Sequence, residues 1–175
     1  MPLNLVILPY NKHYATAVSH IVHESIHHIN NSLYSHEDKC AWSSAPRSSY
    51  YWNKRLSLSR AWIIVDLNCD VNGRPRCGGF INVETHFYTQ GYIDSLYVHP
   101  DYQGKGVAYK LYEVLERWVG KQGYCALSVD ASHGSKSLFL SCGFKLRHRS
   151  YQEKLGRVIS GFLMDKKLSK SLDSW

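Results

Sequence analysis

The stretch YIDSLYVHPDYQGKGVAYKLY at 92–112 constrains the fold of this chain more than any other. Residues 92–98 read as a strand, which His99-Pro100 ends because proline lacks the N–H a sheet ladder needs. A short loop carries Gln103-Gly104-Lys105-Gly106-Val107-Ala108. From about Lys105 to Lys121, Val107, Ala108, Leu111, Tyr112, Val114, Leu115, Trp118 and Val119 recur at helical spacing. Glycines in such a turn permit unusual φ angles and close approach of a ligand to the backbone. The helix N-terminus adds unpaired N–H groups and the positive end of its dipole. Together they form an anion site suited to a pyrophosphate, with Lys105 placed to add charge. Neither GxxxxGK followed by Ser or Thr nor GxGxxG fits the loop. On the glycines alone, a plain strand-to-helix turn remains the alternative.

The rest of the chain supplies elements for one α/β domain. Residues 3–8 read as a short buried strand. Tyr14, Ala17, Val18, Ile21, Val22, Ser25, Ile26 and Ile29 mark an amphipathic helix. Residues 30–47 are polar and turn-rich, with one helical turn near SHEDKCAW, and 48–58 read as a helix. RAWIIVDL (60–67) and CGGFINVETH (77–86) read as a hairpin across the Asn72-Gly73 turn. A strand at 125–131, a short helix at 135–142 with Gly143 as its C-cap, and two strands at 144–153 and 157–168 complete the order. With 175 residues, 44% of them hydrophobic, the chain has enough apolar material for one core, and the strand and helix order gives a mixed sheet.

SLYVHPDYQGKGVAYKLY resembles motif A of the GNAT superfamily (GCN5-related N-acetyltransferases), Q/R-x-x-G-x-G/A, met by Gln103, Gly106 and Ala108. ASHGSKSLFLSCGF resembles the family's motif B, which ends in Gly-Phe, here Gly143-Phe144. The element order is also the family's. IDSLYVHPDYQGKGVA, NNSLYSHEDKCAW and FLMDKKL look like the YafP-like branch. The resemblance implies a mostly antiparallel sheet flanked by helices, splayed at 92–98 and 125–131 to admit acetyl-CoA, in a monomer or homodimer. It implies acetyl transfer from acetyl-CoA to a primary amine of a small-molecule or peptide acceptor, by direct attack in a ternary complex. By motif position, the backbone of Leu96, Tyr97 and Val98 binds the pantetheine arm. Gln103, Gly104, Lys105, Gly106, Val107 and Ala108 cradle the pyrophosphate. Ser132 contacts the cofactor end and is a candidate for catalysis. The Val98 amide is the oxyanion donor.

Many members carry a tyrosine as general acid four residues before the motif B glycine. Here that position is Phe139, a cofactor-binding residue by motif position that cannot donate a proton, and Ser132, His133 or water could substitute. A CoA thiolate also leaves tolerably without help, as thiol pKa values lie near about 8.5. An acyl-CoA-binding protein without catalysis is therefore the runner-up. Glu84 and Asp94 are the candidate bases. The alternatives are a solvated strand end for Glu84 and a buried structural hydrogen-bonder for Asp94. HHINNSLYSHEDKCAW supplies His27, His28, Tyr34 and Trp42 for a small polar or aromatic acceptor, although Tyr34 and Trp42 also suit core packing.

Residues 23–27, HESIH, match the H-E-x-x-H zinc hydrolase pattern. A chain of this composition meets it by chance in roughly two sequences per hundred, and no third-ligand motif follows. His20, His23 and His27 lie off the apolar stripe, on a face expected to be solvated or to line a cleft. No metal is therefore expected. A net charge of +7 favours anionic partners, but no nucleic-acid motif or basic run accompanies it. Five cysteines without a CxxC pair, and no signal peptide or membrane-spanning segment, fit a cytoplasmic protein.

Overall fold

The computed structural model describes residues 2–68 and 70–169; Cys69, one of the five thiols, lies outside them. Seven strands form one sheet in the order β1-β2-β3-β4-β5-β7-β6. They are β1 (Leu5–Pro9), β2 (Arg60–Asp66), β3 (Arg76–Val83), β4 (Tyr92–Val98), β5 (Ala126–Ala131), β6 (Lys145–Lys154) and β7 (Arg157–Lys167). Every neighbouring pair is antiparallel except β4 and β5. That parallel pair needs a crossover, and the helix α4 (Val107–Lys121) provides it. The mixed, mostly antiparallel sheet is the one expected.

The remaining helices are α1 (Ala15–His28), α2 (His36–Trp42), α3 (Ser49–Ser57) and α5 (Lys136–Ser141). Two apolar clusters form the core. In one, α4 buries Val107, Leu111, Leu115 and Val119 against Ile64, Ile81 and Ile93 of the sheet. In the other, α1 and α3 bury Val18, Ile21, Ile26, Trp52 and Leu56 against Ile63, Val65 and Phe80. Each such aliphatic side chain contributes about 1.5–3 kcal/mol on burial. No helix among the described residues is long and apolar enough to cross a membrane.

The segment at 36–42 is a capped helix rather than a single turn. Ser35 Oγ accepts from the Asp38 amide, and Asp38 Oδ2 accepts from the Ser35 amide. Lys39 is buried, because its ammonium donates to the carbonyls of His27 (3.3 Å) and Ile29 (2.7 Å). A cation thus closes the C-terminal end of α1 and ties α2 to it.

Helix α5 stops in a Schellman arrangement. The Phe144 amide donates to Phe139 O and the Gly143 amide to Leu140 O, each at 3.0 Å, with Gly143 at φ +89°. The accompanying apolar contact is Phe139 against Phe144, ring centroids 5.1 Å apart.

Candidate active site

Strands β4 and β5 pair only at Tyr92↔Ser128 and Ile93↔Val129, and then they part. Opposite β3, Val83 pairs with Ile93 and Asn82 with Ser95, so Asp94 is the extra residue of a β-bulge. A bulge bends and twists its strand, which turns the outer half of β4 away from β5. The hydrogen-bonding alternation then fixes what faces the opening. His99 N donates to Gly78 O, so Tyr97 and Ser95 direct their backbone groups at β3, while Leu96 and Val98 direct theirs into the fork. Tyr97 therefore departs from the backbone role expected of it, although the residue is among those that line the cavity. The Val98 carbonyl accepts from Gln103 Nε2 at 2.9 Å, which leaves the Val98 amide facing the fork.

The loop after β4 delivers the helix end. Gly104 (φ +70°) and Gly106 (φ +73°) are both left-handed, and no atom lies within 4 Å of where a Cβ would project. The conformation, not crowding, calls for glycine there. Gly106 is the N-cap of α4 and supplies no capping side chain. Among the described residues, no acceptor takes the amides of Gly104 through Tyr109. Lys105 departs from expectation: its ammonium turns back to donate to the Asp101 carbonyl at 2.6 Å. Val107 sits in the core, so only its backbone is offered to a ligand.

A cavity of about 530 Å³ runs through the fork. Leu96, Val98, Gln103, Gly104, Gly106, Val107, Ala108, Ser132 and Phe139 line it, and so do His28, Trp42, Asp94 and Tyr97. Glu84, Lys105, His27 and Tyr34 stand outside that lining. His27 Nε2 is held by Ser43 O at 2.8 Å. Tyr34 is buried as a strut: its hydroxyl donates to Ser160 O (2.8 Å) and accepts from the His133 amide (2.9 Å). The core-packing alternative thus describes Tyr34. Phe139 is buried between Tyr112 and Phe144.

Charge at the fork is unevenly compensated. Arg55 grips Asp94 with Nε (2.6 Å) and Nη2 (2.5 Å), and its Nη1 donates to Tyr51 Oη at 2.7 Å. Asp94 side-chain exposure is 11% and that of Arg55 is 39%, so the carboxylate is the deeply placed partner. The Arg55 guanidinium is held charged chiefly by Asp94. Glu84 is half-buried at the end of β3, where burial and then the charge of Asp94 raise its carboxyl above the usual range. Burial lifts the Tyr97 hydroxyl to about 12. Sequence reasoning passed over Arg55, Tyr92 and Asp130, whose Oδ2 accepts from Tyr92 Oη at 2.9 Å.

The HESIH residues are engaged in tertiary contacts. His23 Nδ1 lies 2.8 Å from Ser43 Oγ, and Glu24 pairs with His99 Nε2 at 2.7 Å. Among the described residues, no three His, Cys, Asp or Glu side chains are arranged to hold a metal ion. His133 Nε2 lies 3.0 Å from Ser160 Oγ.

Burial, followed by repulsion from His27, lowers His23 below its ordinary 6.5. Burial, followed by repulsion from Arg149 and Lys136, lowers His133. The unfolded chain therefore takes up protons at these positions at higher pH than the folded one. Their contribution to stability is present above about pH 6.5 and is lost as pH falls toward the folded values. The melting temperature is expected to drop between about pH 7.5 and about pH 5.5, and His133→Gln is expected to flatten that slope. The variant separates the histidine part from Glu84, whose raised pKa acts with the opposite sign.

A sheet opened between two parallel strands, with an uncapped helix end behind the opening, places the chain in a known class. It belongs to the acetyltransferase (GNAT) family, whose model matches residues 24–144. The uncharacterised N-acetyltransferase YafP of Escherichia coli (strain K12) is 31% identical over 131 residues, 75% of either chain. A crystal structure of a GCN5-related N-acetyltransferase from Rhodopseudomonas palustris is 30% identical, with a TM-score of 0.80, covering 96% of this chain and 99% of that one. The fold is shared with a phosphinothricin acetyltransferase from Sinorhizobium meliloti solved in complex with acetyl-CoA, at 17% identity, TM-score 0.70, and coverage of 97% and 91%.

Proposed function

We propose that the chain transfers the acetyl group of acetyl-CoA to a primary amine of a small-molecule or peptide acceptor, by direct attack in a ternary complex. One observation carries this reading: the fork exposes the backbone of Leu96 and Val98 beside the free amides of Gly104–Tyr109. That pairing of an open strand edge with an anion-binding helix end suits a long amide-bearing arm that terminates in phosphates. The S. meliloti relative, solved with acetyl-CoA, supports the same cofactor.

In this reading, Leu96 extends the sheet to the pantetheine amides. The Val98 amide receives the negative charge that develops on the acetyl oxygen. Asp94 is bound up in its ion pair and positions the fork rather than accepting a proton. Glu84 has the raised pKa that suits a base, and it takes the amine proton through water because it stands outside the cavity lining. Burial, followed by Arg149 and Lys136, lowers the His133 pKa and so disfavours the imidazolium that a general acid would need. Protonation of the departing thiolate falls to Ser132 or water, since Phe139 has no acidic proton.

The test is release of free CoA thiol from acetyl-CoA in the presence of a panel of primary amines, with the acetylated amine identified by mass. Amine-dependent release is the expected result. Acetyl-CoA binding with no turnover, unchanged in Phe139→Tyr, would mark an acyl-CoA-binding protein. No binding at millimolar acetyl-CoA would remove the reading altogether.

A further inference from the structure

The last paired residues before the fork are Ile93 and Val129, and the next residue on each strand is an aspartate: Asp94 on β4, Asp130 on β5. The two are not equivalent. Asp94 is neutralised by a two-pronged Arg55 contact. Asp130 has only a neutral partner, the Tyr92 hydroxyl on Oδ2, and its Oδ1 has no partner among the described residues. Both line the cavity. Tyr92, the link between them, lies within electrostatic reach of Asp130, Asp94 and Arg55. Glu84 lies within reach of Asp94 and Arg55. Where the strands part, two lining carboxylates, Asp94 and Asp130, therefore stand against one guanidinium, with Glu84 outside the lining.

We propose that Asp130 is the acceptor-binding residue, its free Oδ1 receiving an ammonium group, and that the site selects amines carrying positive charge. This rests on the acetyltransferase reading above. An unpaired carboxylate in a half-buried cleft attracts cations and repels anions far more strongly than one in water, because the low local dielectric screens it less. Tyr92 is the positioning residue: its hydrogen bond holds Oδ2 and leaves Oδ1 free on a residue that lines the cavity. Arg55, spent on Asp94, is not available to attract an acidic acceptor.

The experiment uses three probes of one chain length that differ only in the charge at the far end: 1,5-diaminopentane, pentylamine and 5-aminopentanoate. Each is titrated calorimetrically into the 175-residue chain already saturated with CoA. The expected affinity order is diamine, then monoamine, then amino acid, with at least about a tenfold span from first to last. Asp130→Asn keeps an acceptor for Tyr92 and removes only the charge, so the span is expected to shrink to within about threefold. A merely structural Asp130 would leave the span intact. Equal affinities, a preference for the amino acid, or no binding of any probe to the CoA complex would overturn the proposal. The wild-type series alone decides should Asp130→Asn fail to fold. The CoA titration that precedes the amines separates the two readings: its failure removes the acetyltransferase reading and this proposal with it, while CoA binding with charge-blind amines removes only the role of Asp130.

Discussion

Gly106→Glu is expected to weaken acetyl-CoA binding by at least about 100-fold while leaving the protein folded. The glycine caps α4 at φ +73° over open space, so a larger side chain meets no clash there. Left-handed backbone costs a non-glycine residue about 1–2 kcal/mol, and an acidic side chain at a helix N-terminus returns about 0.3–1 kcal/mol through the dipole. Stability should therefore change little. Binding differs, because the new carboxylate would stand where the free amides are to receive phosphate. At roughly 6 Å and an effective dielectric near 20, one added negative charge against one phosphate charge costs about 3 kcal/mol, or about 100-fold. Gly106→Ala carries the same backbone strain without the charge and is expected to bind within about tenfold of wild type. Calorimetric titration of acetyl-CoA into the three proteins, beside their melting temperatures, checks both halves. Equal binding by Gly106→Glu and wild type would place the cofactor phosphates elsewhere.

The strand–loop–helix at 92–121 was legible because its signals are local: a proline stop, glycines in the turn, and apolar residues at helical spacing. The heptapeptide 36–42 was not, since its buried residue is Lys39, which periodicity counts as polar. It is inside only because the end of α1 supplies two carbonyls for its ammonium. The ion pair of Arg55 with Asp94 spans 39 positions, and the contact of Tyr92 with Asp130 spans 38. Nothing in either segment announces its partner. Asp130 reads as one polar residue in a β-strand pattern until the register shows that pairing stops one residue before it. HESIH is the reverse case: a strong local pattern, set aside in the sequence for want of a third ligand, whose side chains are claimed by Ser43 and His99 in the fold.

Arg55→Leu is the change in which stability and binding should move in opposite directions. Removing one partner of a buried ion pair costs about 3–5 kcal/mol, and partial exposure of the guanidinium brings the expected loss to about 2–3 kcal/mol. Asp94 would keep only the long 3.4 Å contact from Asn82 Nδ2 as a side-chain partner. Adding Asp94→Asn removes the stranded charge, so the double variant should regain much of that loss in denaturant unfolding, with the coupling read from a double-mutant cycle. The amine titrations should answer differently. Arg55→Leu alone leaves two uncompensated carboxylates at the fork in place of one, so 1,5-diaminopentane should bind the CoA complex several-fold more tightly than it binds wild type. The double variant should return to the wild-type affinity, since Asp130 again stands alone. A diamine affinity that falls together with stability in Arg55→Leu would mean that the guanidinium shapes the opening itself. The charge preference would then have to be sought elsewhere along the cavity lining, as at His28 and Trp42, and not at the point where β4 and β5 part.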